Sequence, residues 1–151
     1  MIEVALEKSS YSPGEVINGK IILNFEKKIK TRGIYGTLLC HEKKKIVSVR
    51  EMDYYDYNED KSLGVPRSSN LRTTVQYRDD IIYREDKVIA QEGTYFKETF
   101  PFSFSLPKNA APTSKEYGHD NKINFWELEV KVDIPFAFDK RKIIEVFVEG
   151  L

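Results

Sequence analysis

The chain has 151 residues with 24 Lys+Arg and 24 Asp+Glu, so its net charge is zero and no overall field favours a nucleic acid or a membrane surface as partner. Hydrophobic residues at 40% against 32% charged exclude a disordered chain. A single cysteine, Cys40, excludes an internal disulfide and indicates a reducing compartment.

Met1 leads straight into "IEVALE", without a basic segment followed by an apolar run, and no stretch approaches the roughly 18 apolar residues of a membrane span. The expectation is a cytoplasmic protein with no integral membrane segment. The length suits one domain covering 1–151, which at this size buries roughly 68–70% of its unfolded surface and needs no staple. Lysine and glutamate are abundant and glutamine is confined to Gln76 and Gln91, a composition that leans toward a thermophile.

Alternation with period two runs along the chain. Ile2, Val4 and Leu6 share one face of a first strand. "KSSYSPG", 8–14, is turn chemistry, in which Pro13 presets φ and Gly14 tolerates a positive one. A second strand sets Ile17, Gly19, Ile21, Leu23 and Phe25 on one face. Gly19 faces inward, where a missing side chain permits a bulge or close packing from the opposite sheet. "EKKIKTR" reads as a polar hairpin connection. Ile34, Gly36, Leu38 and Cys40 line a third strand, and 46–57 read as a fourth, less hydrophobic one. Residues 58–72 form a loop rich in Ser, Asn, Gly and Pro, and "TTVQYRDDIIYRE" with "KVIAQ" reads as strand or irregular edge. Phe96, Phe100, Phe102, Phe104 and Leu106 share a face. A polar loop spans 107–121, and Trp126, Leu128, Val130, Val132 and Ile134 line the next strand, facing Phe100, Phe102 and Phe104. Ile144, Val146 and Val148 alternate against charge in "KIIEVFVE". With no amphipathic helix of ten residues, the expected fold is all-β: an antiparallel two-sheet sandwich of seven to nine strands, immunoglobulin-like in its layering.

Four segments, in order, resemble one family. "YSPGEVINGKIIL" with "KTRGIYGTLLC", then "FPFSFSLPKNAAPTS", "INFWELEVKVDIPFAFD" and "KIIEVFV" are similar to the arrestin N-terminal-like domain. That fold family includes arrestins, the α-arrestin trafficking adaptors, the retromer arrestin-like subunit and the bacterial sporulation-control proteins. The resemblance implies a non-enzymatic scaffold or adaptor. Full members pair two sandwiches, whereas this chain has length for one.

Chemical motifs are sparse. Cys40 and His41 are neighbours on a strand and so point to opposite faces, which prevents a nucleophile–base pair. Cys40 reads as a small core residue and His41 as an exposed one. His119 lies in the loop "KEYGHDNK", and two distant histidines without a metal-ligand spacing call for no metal. Nothing in the sequence calls for a cofactor: a P-loop, a G-x-G-x-x-G and a G-x-S-x-G are all missing. Asp79, Asp80, Glu85 and Asp86 sit in a charge-laced stretch typical of a solvated sheet edge.

Two adjoining segments are polarised. Residues 27–50 hold Lys27, Lys28, Lys30, Arg32, Lys43, Lys44, Lys45 and Arg50 against Glu42 alone, and 51–60, "EMDYYDYNED", hold five acids and three tyrosines. The partner-binding candidates are Lys43, Lys44 and Lys45, for an acidic or phosphorylated segment, and Tyr54, Tyr55 and Tyr57, as hydrogen-bonding aromatics. The bland alternatives are a charged hairpin that resists edge pairing and a strand edge whose tyrosines cover the sheet. The expected function is a protein-binding module, in trafficking or regulation, that uses strand edges. The alternatives are a self-assembling structural sandwich and, behind it, a small-ligand binder or enzyme with a loop-built site.

Overall fold

The computed structural model describes the backbone of residues 1–52 and 70–150, with side chains for 1–49 and 73–150. The described residues form seven strands and no helix: β1 (Ile2–Leu6), β2 (Val16–Thr31), β3 (Gly33–Met52), β4 (Asn70–Ala90), β5 (Gly93–Ser105), β6 (Lys122–Asp133) and β7 (Lys140–Val146). They make two antiparallel sheets, in the orders β1-β2-β5 and β4-β3-β6-β7, packed as a sandwich.

The alternating residues put the core where the pattern predicts. Ile17, Ile21, Leu23 and Phe25 of β2 are buried, as are Ile34, Leu38 and Cys40 of β3 and Trp126, Leu128, Val130 and Val132 of β6. Phe102 and Phe104 are buried on β5, and Phe100 and Ile134 pack half-buried against the same cluster. Phe104 crosses the interior, and a Cβ on Gly36 of β3 would lie 3.2 Å from its ring. Burial of about 25 cal/mol per Å² of apolar surface drives this arrangement. The Trp126 indole N–H is not stranded by burial, because it donates to the Ala111 carbonyl at 2.8 Å.

Gly19 is needed for a neighbour in its own sheet rather than for the opposite one. A Cβ there would sit 2.5 Å from the ring of Phe102, its partner on β5, and 2.6 Å from the Ala5 carbonyl oxygen on β1. Phe102 therefore lies over the glycine. Gly14 has φ 85° as the turn demands.

Three boundaries differ from the sequence reading. "EKKIKT" is not a hairpin connection but the continuation of β2. A bulge between Asn24 and Ile29 interrupts the ladder, and pairing resumes at Ile29↔Tyr95. The stretch 46–52 is no separate strand, because β3 runs unbroken to Met52. Asn70–Arg72 belong to β4 rather than to the preceding loop. The chain changes sheets at Arg32, whose N–H donates to the Asp133 carbonyl at 2.8 Å and whose guanidinium lies 3.1 Å from the Asp133 carboxylate.

The margins are closed in different ways. Edge strand β7 places Lys140 and Lys142 opposite buried Val132 and Val130, so both lysines point toward the core side, which discourages a further strand from adding there. At the same margin Tyr11 bridges Val148. Tyr11 N–H donates to the Phe147 carbonyl at 2.9 Å, Glu149 N–H donates to the Tyr11 carbonyl at 2.7 Å, and both Tyr11 and Val148 are buried.

Candidate protein-binding surface

β3 pairs with β6 only as far as Lys44↔Lys122, but with β4 as far as Met52↔Asn70. Beyond Lys44 the second sheet therefore continues as a two-stranded ribbon. Cross-strand partners share a face, so Lys45, Val47 and Val49 stand with Tyr77, Val75 and Thr73 on one side of it. Val47, Val49, Val75 and Tyr77 are between 43% and 65% exposed, and among the described residues no sheet covers this face, though the Tyr117 ring lies 5.9 Å from that of Tyr77. Strand β4 is outermost in its sheet, and Ile81, Ile82 and Val88 are exposed along it. A bulge at Ile82 separates the pairs His41↔Ile81 and Cys40↔Tyr83.

The edge carries charge between its apolar residues. Arg78 pairs with Asp80 at 2.9 Å and Arg84 with Asp86 at 3.0 Å. The Asp86 carboxyl is held below the ordinary carboxylate range, first by its hydrogen bond from Arg84 and then by that from the Thr37 hydroxyl. These exposed pairs add little stability and mark the edge as solvated, as expected for Asp79, Asp80, Glu85 and Asp86.

His41 is a residue that the sequence reading misplaced. Its side chain is 15% exposed rather than open. The ring stacks on Phe125, its partner across β6, at 4.7 Å between centroids. Nδ1 lies 3.2 Å from the Asp79 carboxylate of β4, and Nε2 lies 3.1 Å from that of Glu127 on β6. Only a doubly protonated ring donates to both. The clamp joins three strands at the root of the ribbon. Its acids lie 38 and 86 residues from His41 along the chain, so no local motif announces it.

The three candidate lysines do not stand abreast. Lys43 Nζ lies 5.3 Å from the Phe125 ring centroid, a cation–π contact on the His41 face. Lys45 shares that side beside Tyr77, and its N–H donates to the Asn121 carbonyl at 2.8 Å. Lys44 is on the other face, exposed, directly between Arg78 of β4 and Lys122 of β6. Like charges set opposite one another are unfavourable in a sheet, and the flanking members of this row are compensated, Arg78 by Asp80 at 2.9 Å and Lys122 by Glu42 at 3.7 Å. The basic run 27–50 is itself divided. Lys27–Arg32 lie at the opposite end of β3 from Lys43–Lys45, on the order of 35 Å away at the ordinary strand rise. Tyr54, Tyr55, Tyr57 and the acidic stretch from residue 53 onward lie outside the described residues.

Cys40 sits between its partners Tyr83 and Trp126, fully buried. Burial first, and the Glu42 charge second, push its thiol up to about 12, so it carries no thiolate at neutral pH. His119 is exposed in its loop. Among the described residues, no group of three His, Cys, Asp or Glu side chains is disposed to hold a metal. Among the described residues no helix is long and apolar enough to cross a membrane.

The model of the arrestin (or S-antigen) N-terminal domain family matches residues 1–149. The chain belongs to the arrestin N-terminal domain family. Its arrestin-like fold is shared with the solved structure of Spo0M, a sporulation control protein from Bacillus subtilis, at TM-score 0.63 and 20% sequence identity. That match covers 99% of this chain and 49% of Spo0M, so the arrestin-like chain spans about half the length of that protein. The search of curated proteins finds no match.

Proposed function

We propose that this arrestin-like chain is a non-catalytic protein-binding module in which residues 1–151 act as one domain, working in the cytoplasm. The observation that carries the reading is the ribbon of β3 and β4, whose outer edge pairs with no further strand among the described residues. The open β4 edge offers main-chain donors and acceptors to an extended peptide, and Val75, Tyr77, Ile81 and Ile82 flank it. Lys44 at its root, exposed and with no ion-pair partner among the described residues, favours an acidic segment. Such charges set orientation and on-rate more than affinity, and are screened over about 8 Å at physiological salt.

The test combines titration of an acidic peptide with sedimentation of the chain alone, each from low to high salt. Binding is expected to weaken with salt and to weaken further in the K43E/K44E/K45E variant. A chain that retains no acidic peptide and stays monomeric at every salt concentration would overturn the reading. A second reading is favoured by the exposed pair Val47↔Val75: the same face could pack against a second copy of itself, giving a symmetric dimer. Sedimentation in the absence of peptide separates the two.

A further inference from the structure

The β6–β7 turn, at the end of the sandwich away from the ribbon, carries Phe136 and Phe138 with both side chains fully solvent-exposed, at 108% and 97%. Large aromatics normally bury most of their 150–250 Å². Phe136 also has φ 58°, a left-handed conformation that a bulky residue adopts at a cost in strain. Even so, the turn is pinned. The Asp139 carboxylate accepts the Ile134 N–H at 3.1 Å and faces Lys131 Nζ at 3.4 Å, and these contacts, the first above all, hold its carboxyl below the ordinary range. A strained but braced turn thus lifts two aromatic rings clear of the protein.

Cations lie on the strands that meet at this end of the sandwich. Arg32, Lys131 and Arg141 are engaged with Asp133, Asp139 and Glu129. Lys27 and Lys28 of the β2 bulge, Lys30 just beyond it, and Lys140 and Lys142 of β7 have no ion-pair partner among the described residues and are exposed. Lys140 Nζ lies 5.3 Å from the Phe25 ring centroid, which brings the β7 lysines beside the β2 bulge. The exposed acids of the same turns are Glu26 and Glu92.

We propose that this tip docks the protein peripherally on an anionic lipid surface, with Phe136 and Phe138 entering the acyl boundary and the lysines meeting the headgroups. Two observations favour a lipid over a protein partner. Each ring is bare on all sides, so the pair forms no patch or groove that a protein side chain could fill, whereas a fluid bilayer accepts separate rings to about 5–10 Å. A second copy is disfavoured as occupant because end-to-end contact would bring the two lysine rims together. The neutral overall charge does not oppose this docking, since attraction to a charged surface falls off within a Debye length and is decided by the nearest residues.

The experiment is co-sedimentation of the full chain with vesicles of phosphatidylcholine, with and without phosphatidylserine, at low and high salt. Retention is expected on the anionic vesicles alone, and to fall with salt. F136S/F138S should lose roughly ten-fold or more in partitioning, from the lost apolar transfer. K27E/K28E should lose more than about five-fold for each lysine changed, since the charge is reversed as well as removed. Both variants should keep the wild-type thermal midpoint, because these side chains support no packing. Absence of wild-type binding to anionic vesicles, or equal binding by F136S/F138S, would overturn the proposal. So would a lipid-free change in sedimentation coefficient in F136S/F138S, which would make the occupant of the tip another copy. None of these outcomes depends on the β4 edge.

Discussion

The two halves of β3 are one strand with two environments. From Ile34 to Cys40 it is paired on both sides, by β4 and β6, and covered by the first sheet, so that Ile34, Leu38 and Cys40 have no exposed surface. From Lys45 to Met52 it keeps β4 alone, and Val47 and Val49 are 47% and 61% exposed. Backbone ladder and β-branched propensity suffice to carry a strand out of its core once the core has set its register. Stability therefore resides in the first half, and the second half is available for contact with partners at little thermodynamic cost.

Cutting the covered half should have the largest effect. Trp126→Ala removes the indole packed beside Cys40 and should cost about 3–5 kcal/mol in denaturant unfolding. A loss below about 1 kcal/mol would mean that the core is not where the covered half places it. Gly19→Ala comes next, at about 1–3 kcal/mol, since its Cβ meets the Phe102 ring and the Ala5 carbonyl. Reagent access sharpens the same contrast. The Cys40 thiol should label slowly in the native protein and rapidly after denaturation, whereas a cysteine installed as Val47→Cys should label at once; fast native labelling of Cys40 would erase the distinction between the halves. In the uncovered half, Val47→Thr with Val75→Thr should shift stability by no more than about 0.5 kcal/mol, measured by the same unfolding.

The smallest effect concerns pH. The Asp86 pKa is depressed by Arg84 and Thr37, so its contribution is present above the ordinary carboxylate pKa near 4 and disappears as pH falls through the lower folded value. Acid titration of Asp86→Asn should show a slightly flatter decline of stability than the parent below about pH 4. An unchanged slope would show that this exposed pair contributes nothing.

Much of the covered half was legible in the sequence. Ile17 to Phe25 and Trp126 to Val132 alternate strictly, and the strand faces they predict are the buried ones. The polar ends were not. Lys27 and Lys28 fall in a bulge, where strand geometry persists while alternation breaks, so β2 read as a turn. Lys43–Lys45 read as a cluster, but the pleat sends Lys44 to the other face from Lys43 and Lys45. His41 looked exposed because its burial is supplied by Phe125, Asp79 and Glu127, all distant in sequence. Phe136 and Phe138 continued an apolar run, and only the turn geometry shows that they leave the core.

The bridge between Tyr11 and Val148 bears on the order in which the molecule can be built. The β3–β4 hairpin joins neighbouring segments and can form early, but β2 must await β5 for pairs such as Gly19↔Phe102. Tyr11 must wait longer still, for the segment 147–149 that supplies its backbone partners. Long-range pairings of this kind slow folding, because loop closure precedes the contacts that repay it. During synthesis the YSPG turn therefore stays unsealed while nearly everything after it is made, and its closing is a late step of folding, exposed to competition from chaperones or from β2 of another nascent chain.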